Sequence, residues 1–73
     1  MAAVLHIVGH HDPARAVDVI RGQVAAGDAV TVAVVGPVVP ALPPGVTAHR
    51  VPAELSYDQL LDLVFSVDQV ISW

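Results

Sequence analysis

At 73 residues and 7.6 kDa the chain has room for one domain, 1–73, and a domain this small buries only about 60% of its unfolded surface. It has no cysteine, which excludes disulfides, thiolate metal ligands, Fe–S clusters and any cysteine nucleophile or sulfur carrier within the chain. Three arginines and no lysine against seven acidic residues leave a net charge of −4, which argues against direct nucleic-acid binding and against a polybasic membrane anchor.

The first element in chain order is the apolar run Ala3 to Val8, ended by Gly9. Its length and β-branched content predict a strand buried on both faces. Asp12-Pro13 reads as a helix start, with Asp12 as N-cap and Pro13 at the first helical position. Val17, Ile20 and Val24 form one apolar stripe, and Gly27 is the natural stop, so the helix is expected over about 13–26. Gly22 inside it costs about 1 kcal/mol relative to alanine, which suggests a packing reason for it. Ala29 to Val35 is β-branched and does not alternate, as a central parallel strand would read. Four of the six prolines then fall between Gly36 and Gly45, so that stretch is expected to be an irregular connection.

Val46 to Val51 predicts a third strand, closed by Pro52. Ser56-Tyr57-Asp58-Gln59 matches a capping box, and Tyr57, Leu60, Leu61, Val64 and Val67 give a second helix an apolar face over about 57–67. Gln69 to Trp73 closes the chain as a short strand. The order β-α-β-β-α-β implies a small Rossmann-like α/β domain with a mainly parallel four-stranded sheet and right-handed crossovers.

Two features point to a subunit of something larger. The chain is 55% hydrophobic and only 14% charged, against roughly 25% charged in an average domain. Two helices also cover both faces of four strands thinly. The uncharged stretch Ala29 to Ala48 has the length of a membrane span, but four prolines within it are incompatible with one. The start MAAVLHIVGHHD has no basic n-region. The expectation is a soluble cytoplasmic protein that does not enter a membrane.

Chemistry-bearing residues are few. His10, His11 and Asp12 fall where the first strand meets the first helix, the edge at which open α/β sheets bind ligands. Imidazoles there suit zinc, copper or nickel, but no spacing marks a closed site, so no metal is assigned, and the plainer reading is two loop histidines beside a helix cap. His6, inside the strand, is expected to be a core histidine bonded to a backbone carbonyl. There is no phosphate-binding loop, no G-x-S-x-G elbow and no nucleophile better placed than Ser56, which reads as a cap. No cofactor and no autonomous enzyme activity are expected. The single tryptophan, Trp73, is expected either to fold onto its own core or to dock into another chain, since tryptophan is enriched at interface hot spots.

The ends of the chain resemble a known family. Val4-Leu5-His6-Ile7 is similar to the Met-Leu-His-Thr opening of the DsrH/TusB family. Ser56-Tyr57-Asp58-Gln59-Leu60-Leu61-Asp62-Leu63-Val64 and Asp68-Gln69-Val70-Ile71-Ser72-Trp73 resemble its final helix and its Ser-Trp ending. The resemblance implies a Rossmann-like subunit that assembles with DsrE/TusD-like and DsrF/TusC-like partners. Such complexes relay persulfide sulfur, for tRNA wobble-uridine 2-thiolation or for sulfur oxidation. The carrier cysteine sits in the DsrE/TusD subunit, and the DsrH/TusB subunit is largely architectural. Two departures stand out: the chain has no cysteine, and Gly36 to Pro44 replaces a helix and a strand that the family usually has.

The expectation is therefore a non-catalytic structural subunit, at most an accessory of a sulfurtransferase complex, with Trp73, Tyr57, Leu61 and Val64 as interface candidates. The alternative is a homo-oligomeric ligand- or metal-binding module that uses His10, His11 and Asp12.

Overall fold

A computed structural model describes residues 2–9, 12–36 and 40–73. The elements are β1 (Ala3–Val8), α1 (Pro13–Ala25), β2 (Ala29–Val35), β3 (Val46–Val51), α2 (Tyr57–Ser66) and β4 (Gln69–Ser72). The strands form one all-parallel sheet in the order β3-β2-β1-β4. The chain builds outward from β1 through β2 to β3, then returns through α2 to place β4 on the other side of β1. The order reverses between β1 and β4, as in Rossmann-like sheets.

Strand alternation divides the apolar residues between two faces. Val8, Val30, Val32 and Val34 meet Ala16 and Ile20 of α1, with Val24, Leu42, Val46 and Trp73 at the margin. Leu5, Ala33 and Val51 meet Leu55, Leu60, Leu63, Val64 and Val67 on the α2 face. Each helix therefore covers one face, which is why the central strands read as continuous apolar runs. Ala16 lies fully buried beside Ile20. Its small side chain takes the inner position on the stripe, and Val17 is only half-buried. Ile20 itself stabilises the fold by about 1.5–3 kcal/mol through burial.

Two aspartates set the register around β1. Asp28, just before β2, accepts from the Ala2 N–H at 3.3 Å, and Asp68, just before β4, accepts from the Ala3 N–H at 2.8 Å. The backbone reinforces both, through Ala29 N–H to Ala2 carbonyl and Asp68 N–H to Ala3 carbonyl, each at 2.8 Å.

Helix ends follow the sequence signals in part. Pro13 opens α1, and Gly27 follows it with φ +90°, a conformation that costs glycine nothing. Gly45, with φ +91°, turns the chain into β3. Asp12 departs from expectation. It adopts a left-handed conformation (φ 46°, ψ 54°), and its side chain makes no capping bond. The fixed φ of Pro13 already orients the first turn, and α1 starts without a side-chain cap. A packing role for Gly22 is also not seen, because a Cβ built there meets nothing within 4 Å. At α2 the capping box forms in full: Ser56 Oγ accepts from Gln59 N–H at 3.1 Å, and Gln59 Oε1 accepts from Ser56 N–H at 2.8 Å.

No helix among the described residues is long and apolar enough to cross a membrane. The proline-rich connection contains no helix or strand over residues 40–45.

Candidate functional site

Three regions were candidates for chemistry: the carboxyl edge of the sheet, the buried histidine, and the outer surface of α2.

At the carboxyl edge, Gly9, Pro13, Val17, Val35, Gly36 and Pro40 line a cavity of about 390 Å³ at the start of α1. Its described lining contains no titratable side chain. Asp12 lies beside it and is exposed. His10 and His11 fall outside the described residues, so the expected His10/His11/Asp12 edge is not assembled by the structure. Among the described residues no three His, Asp or Glu side chains come together as a metal site.

His6 is the one buried polar residue of the described core, with no exposed surface. Its expected partner, a backbone carbonyl, is replaced by two side chains. Trp73 Nε1 donates to His6 Nδ1 at 2.9 Å, and His6 Nε2 meets Gln23 Oε1 of α1 at 2.5 Å. An indole nitrogen only donates, so Nδ1 accepts, the ring proton sits on Nε2, and Nε2–H donates to Gln23. The His6 and Trp73 rings lie within 13° of one plane with centroids 6.1 Å apart. With the nitrogens in hydrogen-bond contact, this is an edge-to-edge pair and not a face-to-face stack. The Trp73 N–H also donates to the Ile7 carbonyl at 2.9 Å, which carries the β1–β4 ladder one residue past β4. Every polar atom of His6 is thus satisfied inside the fold. The residue fastens α1, β1 and the end of β4 together, and Trp73 folds against its own domain. Both partners lie far away in sequence, 17 and 67 residues from His6, so no local pattern announces the cluster.

The outer surface of α2 is different. Leu60, Leu63, Val64 and Val67 turn toward the sheet, but no residue of the helix is fully buried. Tyr57 and Leu61, expected on the apolar face of the helix and as interface candidates, are 62% and 54% exposed, and Phe65 is 80% exposed. These three recur every fourth residue and form one apolar stripe along the helix. Leu63, absent from the expected apolar face, packs toward the sheet. Val70 of the neighbouring edge strand β4 is also exposed, at 38%. Of the interface candidates, Tyr57 and Leu61 therefore lie on the surface, and Val64 and Trp73 are half-buried against the core. Phe65, the most exposed large apolar residue, escaped the sequence reading, although its spacing from Tyr57 and Leu61 was available to find it.

On the opposite flank of α2 an open groove of about 410 Å³ runs between the helix and β2–β3, lined by Thr31, Thr47, His49, Gln59, Asp62 and Ser66. Ser66 Oγ is engaged with the Leu63 carbonyl at 2.9 Å. Ser56 is occupied as a cap, so neither hydroxyl is paired with a base.

Compared with models of known protein families, with curated proteins and with solved structures, the chain matches none.

Proposed function

We propose that the chain is a non-catalytic subunit that completes an assembly of small proteins through the outer surface of α2. One observation carries this reading: Tyr57, Leu61 and Phe65, three large apolar side chains, stand exposed on successive turns of a helix whose inner side is only half-buried. Solvated helices normally present polar residues on that side, and clustered exposed apolar surface marks contact sites. The chemistry of the rest supports a structural role, since His6 is fully engaged within the fold and Ser56 is a cap.

The resemblance at the two ends of the chain gives the assembly its most specific form. It would be a persulfide relay of the DsrE/F/H-like type, serving wobble-uridine thiolation or sulfur oxidation. With no cysteine here, the carrier thiol must then belong to a DsrE/TusD-like partner. Affinity capture of the chain from its own cells, run beside Phe65→Asp, tests this. Wild type should retain one or two further small proteins, at least one with a reactive cysteine, and the variant should lose them. Recovery of the chain alone from both samples overturns the reading.

A second reading is a homo-oligomeric ligand- or metal-binding module using the His10/His11/Asp12 edge, with the cavity that Gly9 and Pro13 line as the space for a ligand. Calorimetric titration with zinc or nickel decides it: saturable binding lost in His10→Ala/His11→Ala supports the module, and no heat removes the metal form of it.

A further inference from the structure

The α2 surface also carries information about the chemistry of its partner, an inference that rests on the assembly reading above. Viewed down the helix at about 100° per residue, Tyr57, Leu61 and Phe65 occupy an arc of about 80°. Val64 and Leu60 border it on the side that turns into the core. Asp58 and Asp62 border it on the other, at about 100° and 140° from Tyr57 by the same helical geometry, and both are exposed. Helix α2 has no basic residue, and the chain has no lysine anywhere. The stripe is therefore an apolar seam, about 12 Å long at 1.5 Å per residue, with one purely acidic rim.

This rim discriminates between occupants. Two copies of α2 packed antiparallel along the stripe would place Asp58 and Asp62 of one beside Asp62 and Asp58 of the other. Packed parallel, the two-fold along the helices would carry the acidic rim of each copy to the Leu60/Val64 margin of the other, so that each aspartate is set against apolar side chains with no counter-charge. The first arrangement sets like charges across the seam, which flanking positions of paired helices use to reject a partner, and the second leaves the carboxylates unpaired against apolar surface. A different chain with lysine or arginine at those positions would gain what a second copy loses. We infer that the Tyr57/Leu61/Phe65 stripe docks a different protein, through an apolar helical surface rimmed with basic side chains, and not a second copy of this chain.

Two synthetic helical peptides with the same leucine- and phenylalanine-bearing face, one flanked by lysine and one by glutamate, provide the test. Binding to the full chain is followed by fluorescence anisotropy at low salt, and self-association of the chain by sedimentation equilibrium. The lysine peptide should bind roughly tenfold more tightly than the glutamate peptide, a few helix-rim pairs gained in one case and opposed in the other. The preference should shrink as salt rises. Asp58→Lys/Asp62→Lys should reverse it, and Phe65→Asp should abolish binding of both peptides. Asp62→Lys alone, placed beyond the first turn, repeats the reversal if the double variant loses its circular dichroism.

Equal affinity for the two peptides overturns the basic-rim partner and leaves the surface itself standing. Failure of both peptides, together with self-association that Phe65→Asp removes, assigns the stripe to a second copy and overturns the proposal. Failure of both with no self-association overturns this proposal, and the capture experiment above then decides the assembly reading separately.

Discussion

Replacing Trp73 by phenylalanine isolates the link between the end of β4 and the buried histidine. Phenylalanine keeps most of the apolar contact with the α1-side core but removes the indole N–H. His6 has no exposed surface, so its Nδ1 would be left as an acceptor without a partner. An unsatisfied buried acceptor costs about 1–3 kcal/mol. Trp73 is only half-buried, and water reaching the vacated space would recover part of this, so about 1.5 kcal/mol is expected. A domain of 73 residues has a total stability of roughly 4–11 kcal/mol, and each kcal/mol moves the melting point of so small a domain by about 4–8 °C. The variant should therefore melt roughly 6–12 °C lower on the same scaling. Urea unfolding followed by far-ultraviolet circular dichroism measures the loss without needing the tryptophan. Nitrogen-15 NMR of wild type should show His6 protonated on Nε2. A loss within experimental error of zero, or a proton found on Nδ1, would refute the assigned hydrogen-bond arrangement.

Other consequences are as direct. Gly22→Ala should stabilise by about 0.5–1 kcal/mol, because the site is helical and a methyl there meets nothing. Gly45→Ala should destabilise by about 1–2 kcal/mol, because φ is +91° and the new Cβ would lie 3.3 Å from Val24 Cγ1; denaturation midpoints check both. Ser56→Ala removes one side of the capping box and should cost about 1 kcal/mol by urea unfolding. Phe65→Ala should leave stability within about 0.5 kcal/mol of wild type, since the side chain is 80% exposed, and should weaken assembly by more than 1 kcal/mol if it anchors an interface.

The parts of the fold legible in the sequence are those that local chemistry decides. The runs Ala3–Val8 and Ala29–Val35, rich in β-branched residues and without polar alternation, announced a strand buried on both faces and a central parallel strand, and Ser56 with Gln59 announced the start of α2. Pro13 and Gly27 bracketed α1. Asp12 was misread because capping residues are recognised by type, whereas a side-chain cap also needs extended backbone, and here the backbone is left-handed.

The candidate site was legible only in outline. Helix α2 has apolar residues over more than half its circumference, so periodicity alone does not say which part faces the sheet. The packing of Leu55 and Leu63 against the sheet leaves Tyr57 and Leu61 turned outward. The engagement of His6 with Gln23 and Trp73 depends on tertiary pairing across the sheet, which no short window of sequence contains. His10 and His11 lie outside the described residues.

The central claim, that the outer surface of α2 meets another protein, is tested most directly by photo-crosslinking in the cells that make the chain. Benzoylphenylalanine is placed at Phe65, and in a control at Glu54, which is exposed but off the helix. The account expects a discrete adduct with a different polypeptide from position 65, absent from position 54 and lost when Leu61→Asp is added. Irradiation that yields only uncrosslinked chain from position 65, or the same adducts from both positions, would contradict it.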